Sequence, residues 1–128
     1  MLNVKSAYET VRNADMGIIP IEPTSELPKG TSVPLWQAKS ENRLKLKMFI
    51  GFPVVATPIP TYESTIESGR NGFFANSRAD WLRDLEILRD LAARSEIGHL
   101  ARVSLISRYS MKGQARLLIE ALRLVSRR

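Results

Sequence analysis

The sequence predicts an α/β domain, a small parallel sheet flanked by helices, with helices alone in its C-terminal part. Two apolar runs and one helical segment carry that expectation. Pro53-Val54-Val55-Ala56-Thr57 is a β-branched run without polar alternation, bounded by Gly51 on one side and by Pro58 and Pro60 on the other. Such a run suits a strand buried on both faces of a parallel sheet. Met16-Gly17-Ile18-Ile19-Pro20-Ile21 gives a second signal of the same kind. Between them, Ser40 to Gly51 reads as a helix, and a helix running directly into a buried strand is half of a βαβ unit.

Taken in order, Asn3 to Asn13 reads as a short helix, with Val4, Ala7, Tyr8 and Val11 at helical spacing. The Met16–Ile21 strand follows. From Glu22 to Ala38 the chain is rich in Pro, Ser, Thr and Gly, a loop of a length that is usually functional or mobile. Leu35 and Trp36 within it are candidates to fold back onto the body. Arg43 to Met48 alternates as a half-exposed strand would, yet the helical reading is better supported. Ser40 suits an N-cap, Leu44 and Met48 pair at i,i+4 with Phe49 and Ile50 thickening that face, and Gly51 suits the left-handed position after the helix.

After the Pro53–Thr57 strand, Tyr62 to Ser68 predicts a short helix. Gly69, Asn71 and Gly72 then predict a turn, Asn tolerating the left-handed region. Gly72 to Ala75 is a third strand. Ser77 with Asp80 forms a capping-box pattern ahead of a stripe of Trp81, Leu82, Leu85, Leu88 and Leu91. Glu86–Arg89 and Asp90–Arg94 are spaced as ion pairs on a helix surface. A further helix is expected from Glu96 to about Ser107. Ser110 caps a last one, whose stripe is Leu117, Leu118, Ala121, Leu122 and Val125.

The chain has 128 residues, enough for one domain with a single core, taken here as residues 1–128. It contains no cysteine, which removes disulfides, thiolate metal sites and cysteine nucleophiles. No apolar run approaches the roughly 20 residues of a membrane span. These features fit a cytoplasmic protein. The formal charge of +6 favours anionic partners, and by charge alone nucleotide sugars, acidic lipid surfaces, nucleic acid and an acidic partner chain all qualify. Nucleic acid is not expected, because the aromatics sit in apolar stripes rather than among basic residues. Neither a Gly-x-x-x-x-Gly-Lys-Ser/Thr loop nor a Gly-x-Gly-x-x-Gly fingerprint is present. His99 is the single histidine, and one histidine builds neither a triad nor a zinc site.

Lys39 and Arg43 mark the segment where chemistry is expected. They lie at the start of the Ser40–Gly51 helix, where the dipole and the free N–H groups disfavour cations. Either both side chains extend into water, or an anion such as phosphate sits between them and the helix end.

The same residues carry a resemblance. Lys39-Ser40-x-Asn42-Arg43-Leu44, then Met48-x-x-Gly51-x-Pro53-Val54-Val55-Ala56-Thr57-Pro58, then Glu63 and Ser68-Gly69-Arg70-Asn71-Gly72-Phe73 resemble the C-terminal domain of GT-B glycosyltransferases. The likeness runs from Ala14-Asp15 to Tyr109-Ser110, in the order and spacing of the second half of that Rossmann-like domain. It implies donor-side binding of a nucleotide-diphospho-sugar, with no cofactor and no metal, and transfer to a glycan or lipid-linked acceptor held by an N-terminal domain. It also implies a fragment, inactive alone, whose uncovered sheet edge would be met by a partner chain or by a second copy. By the same resemblance Lys39, Ser40, Glu41, Asn42 and Arg43 would line the phosphate and sugar end, and Glu63 matches a family glutamate. That glutamate also fits a plain helix start. Two further glutamates of the family are replaced here by Ala38 and Leu46, neither of which can hydrogen-bond a sugar or a ribose. Glu41 either substitutes for the first or is an ordinary first-turn acid. The alternative is a non-enzymatic module that dimerises or scaffolds through the open edge.

Overall fold

The computed structural model describes residues 9–11, 13–23, 27 and 29–126. Three short parallel strands form one sheet in the order β1-β2-β3: β1 Gly17–Ile19, β2 Val54–Ala56 and β3 Phe73–Phe74. Gly17 pairs with Val54 and Ile19 with Ala56, while Val55 and Ala56 pair with Phe73 and Phe74. The ladder continues past the strand ends, where Thr57 N–H donates to the Ile19 carbonyl and Ala75 N–H to the Ala56 carbonyl, both at 3.0 Å. Among the described residues β1 pairs only with β2, so its far edge is open.

The ambiguous alternating segment is a helix, α1 Asn42–Ile50. Leu44 and Met48 are fully buried on one face, as i,i+4 pairing requires. Two details differ from expectation. The N-cap position falls on Glu41, which makes no capping side-chain bond, and Ser40 lies one residue outside. Phe49 and Ile50 are exposed rather than part of the packed face, because 100° per residue carries them past the stripe that Leu44 and Met48 define. Gly51 ends the helix as predicted, at φ 91°, with its N–H on the Met48 carbonyl and the Phe52 N–H on the Lys47 carbonyl.

The expected Tyr62–Ser68 helix begins earlier and is a single turn, α2 Pro60–Glu63. Pro60 at the first helical position sets that start. Asn71 ends the following turn through its side chain. Its Oδ1 accepts from Glu67 N–H at 2.7 Å, and its Nδ2 donates to the Thr65 carbonyl and to Ser104 Oγ, each at 3.1 Å. The left-handed residue of this turn is Gly69, not Asn71.

Helix α3 spans Arg78–Ile87 and carries the predicted capping box. Ser77 Oγ accepts from Asp80 N–H, and Asp80 Oδ2 accepts from Ser77 N–H, both at 3.1 Å. Of the predicted stripe, Leu88 is buried and Trp81 and Leu85 are partly buried, while Leu82 and Leu91 are exposed. The inward position between Trp81 and Leu88 is taken instead by Asp84, whose side chain is 1% exposed and whose Oδ1 accepts from Arg83 Nε at 2.9 Å.

The fourth helix begins at Leu91, after its N-cap Asp90, five residues before the expected Glu96. Asp90 caps α4 Leu91–Tyr109 by accepting from Ala93 N–H, so it does not pair with Arg94, which donates to the carbonyls of Leu88 and Arg89. Glu86 and Arg89 pair as predicted, at 3.1 Å. Ser110 caps α5 Met111–Ser126 through a bond from Gly113 N–H. The predicted stripe of α5 exists as a face, yet all five of its residues are exposed. Residues 9–11 are helical, while Val4, Ala7 and Tyr8 of the expected first helix lie outside the described residues.

Side-chain alternation along β2 divides the core. Val54 and Ala56 join Ile19, Ile21, Leu44, Met48, Ile59, Tyr62, Ile66, Ala101 and Leu105 on the face covered by α1 and α4. Val55 joins Phe73, Ala75, Leu88 and Ile97 on the other face, covered by α3 and, through Ile97, by the first part of α4. That second cover stops short of β1, leaving Ile18 53% exposed. Trp36 folds back onto the first cluster, whereas Leu35 is exposed. No helix among the described residues is long and apolar enough to cross a membrane.

Candidate anion-binding cleft at the start of α1

The C-terminal ends of parallel strands are where crossover loops leave the sheet, and clefts form there because successive loops diverge. Here the cleft has a volume of about 230 Å³ and is lined by Ile19, Pro20, Ile21, Lys39, Ser40, Arg43 and Tyr62. Its floor is held by two loop contacts. Thr57 Oγ1 accepts from Ile21 N–H at 2.9 Å, tying the chain after β1 to the chain after β2. Thr61 Oγ1 donates to the Lys39 carbonyl at 2.9 Å, tying the approach to α1 onto α2.

The electrostatics of this cleft follow from what α1 lacks. Its first turn contains no acidic residue, and the Glu41 side chain supplies no capping bond. The N–H groups of the first turn therefore point out of the helix without intrahelical acceptors, carrying the positive end of the dipole. Lys39 and Arg43 add two formal charges at the same place. A glutamate adjoins them in sequence but faces elsewhere. Glu41 forms an ion pair with Lys45 and accepts a hydrogen bond from Thr65 Oγ1 at 3.3 Å, and the Lys45 ammonium in turn sits 4.0 Å above the Tyr109 ring. The first-turn acid of the sequence is thus tied into the body, and the cleft keeps its positive field.

Tyr62 closes the cleft from below. It is 1% exposed, and burial raises the pKa of its phenol, an effect that the charge of Arg43 partly offsets. It is therefore a neutral phenol at neutral pH. Nothing in a helical reading of Tyr62–Ser68 singles it out. The signal was the Pro58-x-Pro60 pair, which carries the chain rigidly off β2 and starts a helical turn just beyond the strand's C-terminal end.

Of the seven residues singled out from sequence, Lys39, Ser40 and Arg43 converge on the cleft. Asn42 opens α1 and is exposed beside it. Glu41 is turned to Lys45. Leu46 lies a full turn further along α1, 63% exposed and away from the cleft. Glu63 borders a separate groove together with Ser64, Thr65, Asn71, Ser104 and Arg108. His99 is exposed on α4. Among the described residues, no three histidine, aspartate or glutamate side chains gather as a metal site would require. No family model, curated protein or solved structure matches this chain.

Proposed function

We propose that this chain is the donor-side portion of a GT-B glycosyltransferase, the second half of its Rossmann-like C-terminal domain, and that the cleft receives the diphosphate of a nucleotide sugar. One observation carries the reading: Lys39, Ser40 and Arg43 converge at an uncapped, acid-free helix N-terminus beyond the C-terminal ends of two parallel strands. When the glycosidic bond to the diphosphate breaks, its electron pair stays on the departing phosphate. Fixed cations and first-turn N–H groups stabilise that charge as it grows. The sugar passes to a hydroxyl of a glycan or lipid-linked acceptor, held by an N-terminal domain outside this chain. The chain by itself binds the donor and does not turn it over.

Calorimetric titration with UDP, GDP and a nucleotide sugar tests this. Wild type binds saturably, and the Lys39→Ala/Arg43→Ala double variant loses that binding. A folded wild-type chain that binds none of the three refutes the reading.

A second reading, a non-enzymatic module that pairs through its sheet, is favoured by the open edge of β1 and the exposure of Ile18. Sedimentation separates the two. A concentration-dependent dimer abolished by Ile18→Lys, together with absent nucleotide binding, would select the module.

A further inference from the structure

We infer that the Tyr62 hydroxyl is a ligand-binding donor, which hydrogen-bonds a phosphoryl oxygen held between Arg43 and the start of α1. This rests on the anion reading of the cleft and assigns it a residue that neither charge nor motif spacing indicated. Tyr62 is 1% exposed, and its ring belongs to the main core cluster with Leu44, Ile59 and Leu105. A buried phenol is costly to leave without a hydrogen bond, and buried tyrosines ordinarily find a partner for the hydroxyl. Among the described residues the hydroxyl has no protein partner, and the buried side-chain oxygen left without one is Asp84 Oδ2, so the Tyr62 oxygen is not sealed in the core but reaches the solvent of the cleft. Tyr62 borders the cleft with Lys39, Ser40 and Arg43, and its phenol lies within electrostatic reach of Arg43.

Those neighbours decide which ligand suits it. A phenol can donate or accept. Of the other side chains that line the cleft, Lys39 and Arg43 are donors only and charged, and the Ser40 hydroxyl can do either. A ligand for this cleft must present several acceptor oxygens on one centre, as a phosphate or diphosphate does. The elevated phenol pKa keeps the proton in place at neutral pH, so Tyr62 meets such a ligand as a donor and not as a repelling phenolate. The two cations attract the anion from solution. Tyr62, fixed by its buried ring, gives the bound phosphoryl group a defined orientation at little entropic cost.

Tyr62→Phe isolates the claim, since it keeps the buried ring and removes only an oxygen that has no protein partner among the described residues. The probes are inorganic pyrophosphate and UDP, each titrated calorimetrically into both chains, with thermal melts alongside. The inference expects both proteins to melt together and the variant to bind each probe about 10-fold more weakly, the scale of one hydrogen bond to a charged group. Weakening toward UDP alone would assign the contact to a nucleotide and not to phosphate as such, and would overturn the phosphoryl assignment. Equal binding by variant and wild type overturns the role of Tyr62 while leaving the diphosphate cleft standing. Failure of wild type to bind either probe overturns both. Should the variant misfold, a second measurement decides. In the wild-type chain labelled at the tyrosine phenolic carbon, pyrophosphate must shift the Tyr62 resonance and leave that of Tyr109 in place. An unmoved Tyr62 signal at saturation refutes the inference.

Discussion

Gly98→Ala sets two physical effects against each other at the joint that orients α1. Helix propensity alone favours alanine by about 0.8–1 kcal/mol within a helix. Packing opposes it. A Cβ on Gly98 would lie closer than 3.0 Å to the Gly51 carbonyl oxygen, 3.2 Å from its carbonyl carbon and 3.3 Å from Pro53 Cδ. None of these can retreat easily. Gly51 is held at φ 91° by its own hydrogen bond to Met48, and Pro53 leads into β2, whose three residues are fully buried. The helix must give way instead, yet the same helix seats Ala101 and Leu105 in the core, at 0% and 1% exposure. Overpacking of this kind costs typically 1–3 kcal/mol and more where backbone is struck. The net expectation is a loss of about 1–2 kcal/mol, opposite in sign to propensity. Urea unfolding followed by circular dichroism reads it as a lower midpoint at unchanged slope. Ser95→Ala, exposed on the same helix, serves as the control and gains a few tenths of a kcal/mol. A midpoint for Gly98→Ala at or above that of wild type would show that α4 does not rest on Gly51, and would sink the account of how α1 is positioned.

Three further outcomes are expected. The Lys39→Ala/Arg43→Ala variant that loses ligand binding should be more stable without ligand, by about 0.3–1 kcal/mol, because it relieves cations at a helix N-terminus; an unchanged or lower melting temperature at low salt would contradict the field assigned to the cleft. Hydrogen bonds from the Ser77 and Asn76 backbones lower the Asp80 pKa below that of an ordinary carboxyl. Because the folded value is depressed, the stability it contributes is present above the unfolded pKa, about 3.9, and is lost as pH falls through the folded one. The stability gap between wild type and Asp80→Ala should accordingly narrow on acidification, and a gap that widens would refute the capping box as its source. Leu105→Ala should cost about 2–5 kcal/mol as a buried truncation, whereas Leu118→Ala, 61% exposed on α5, should stay within about 0.5 kcal/mol by the same unfolding assay.

The local code was legible where one turn or one strand decides the outcome. The β-branched run before Pro58 became β2, the left-handed position after α1 fell on Gly51, Ser77 with Asp80 formed both bonds of a capping box, and Ser110 capped α5. The helical reading of Arg43–Met48 survived its own alternation because Leu44 and Met48 found a common apolar partner surface. The misreadings share one cause. Leu82, Phe49, Ile50 and the α5 stripe are apolar at helical spacing, and periodicity cannot tell which apolar residues will find something to cover them. In α3 a carboxylate, Asp84, points inward where leucines flank it in sequence, its cost offset in part by Arg83.

Sequence by itself thus determined the class of the fold and the presence of cations at the start of α1, since both depend on neighbours a few residues apart. Tertiary structure decided which of the candidates share a cleft. It turned Glu41 away to Lys45, left Leu46 on the outside, carried Glu63 to a different groove, and brought Tyr62 to the same cleft as Arg43 from nineteen positions away. Those assignments depend on where three strand ends and two loops converge in space, and such convergence is a property of the packed sheet that no local pattern encodes.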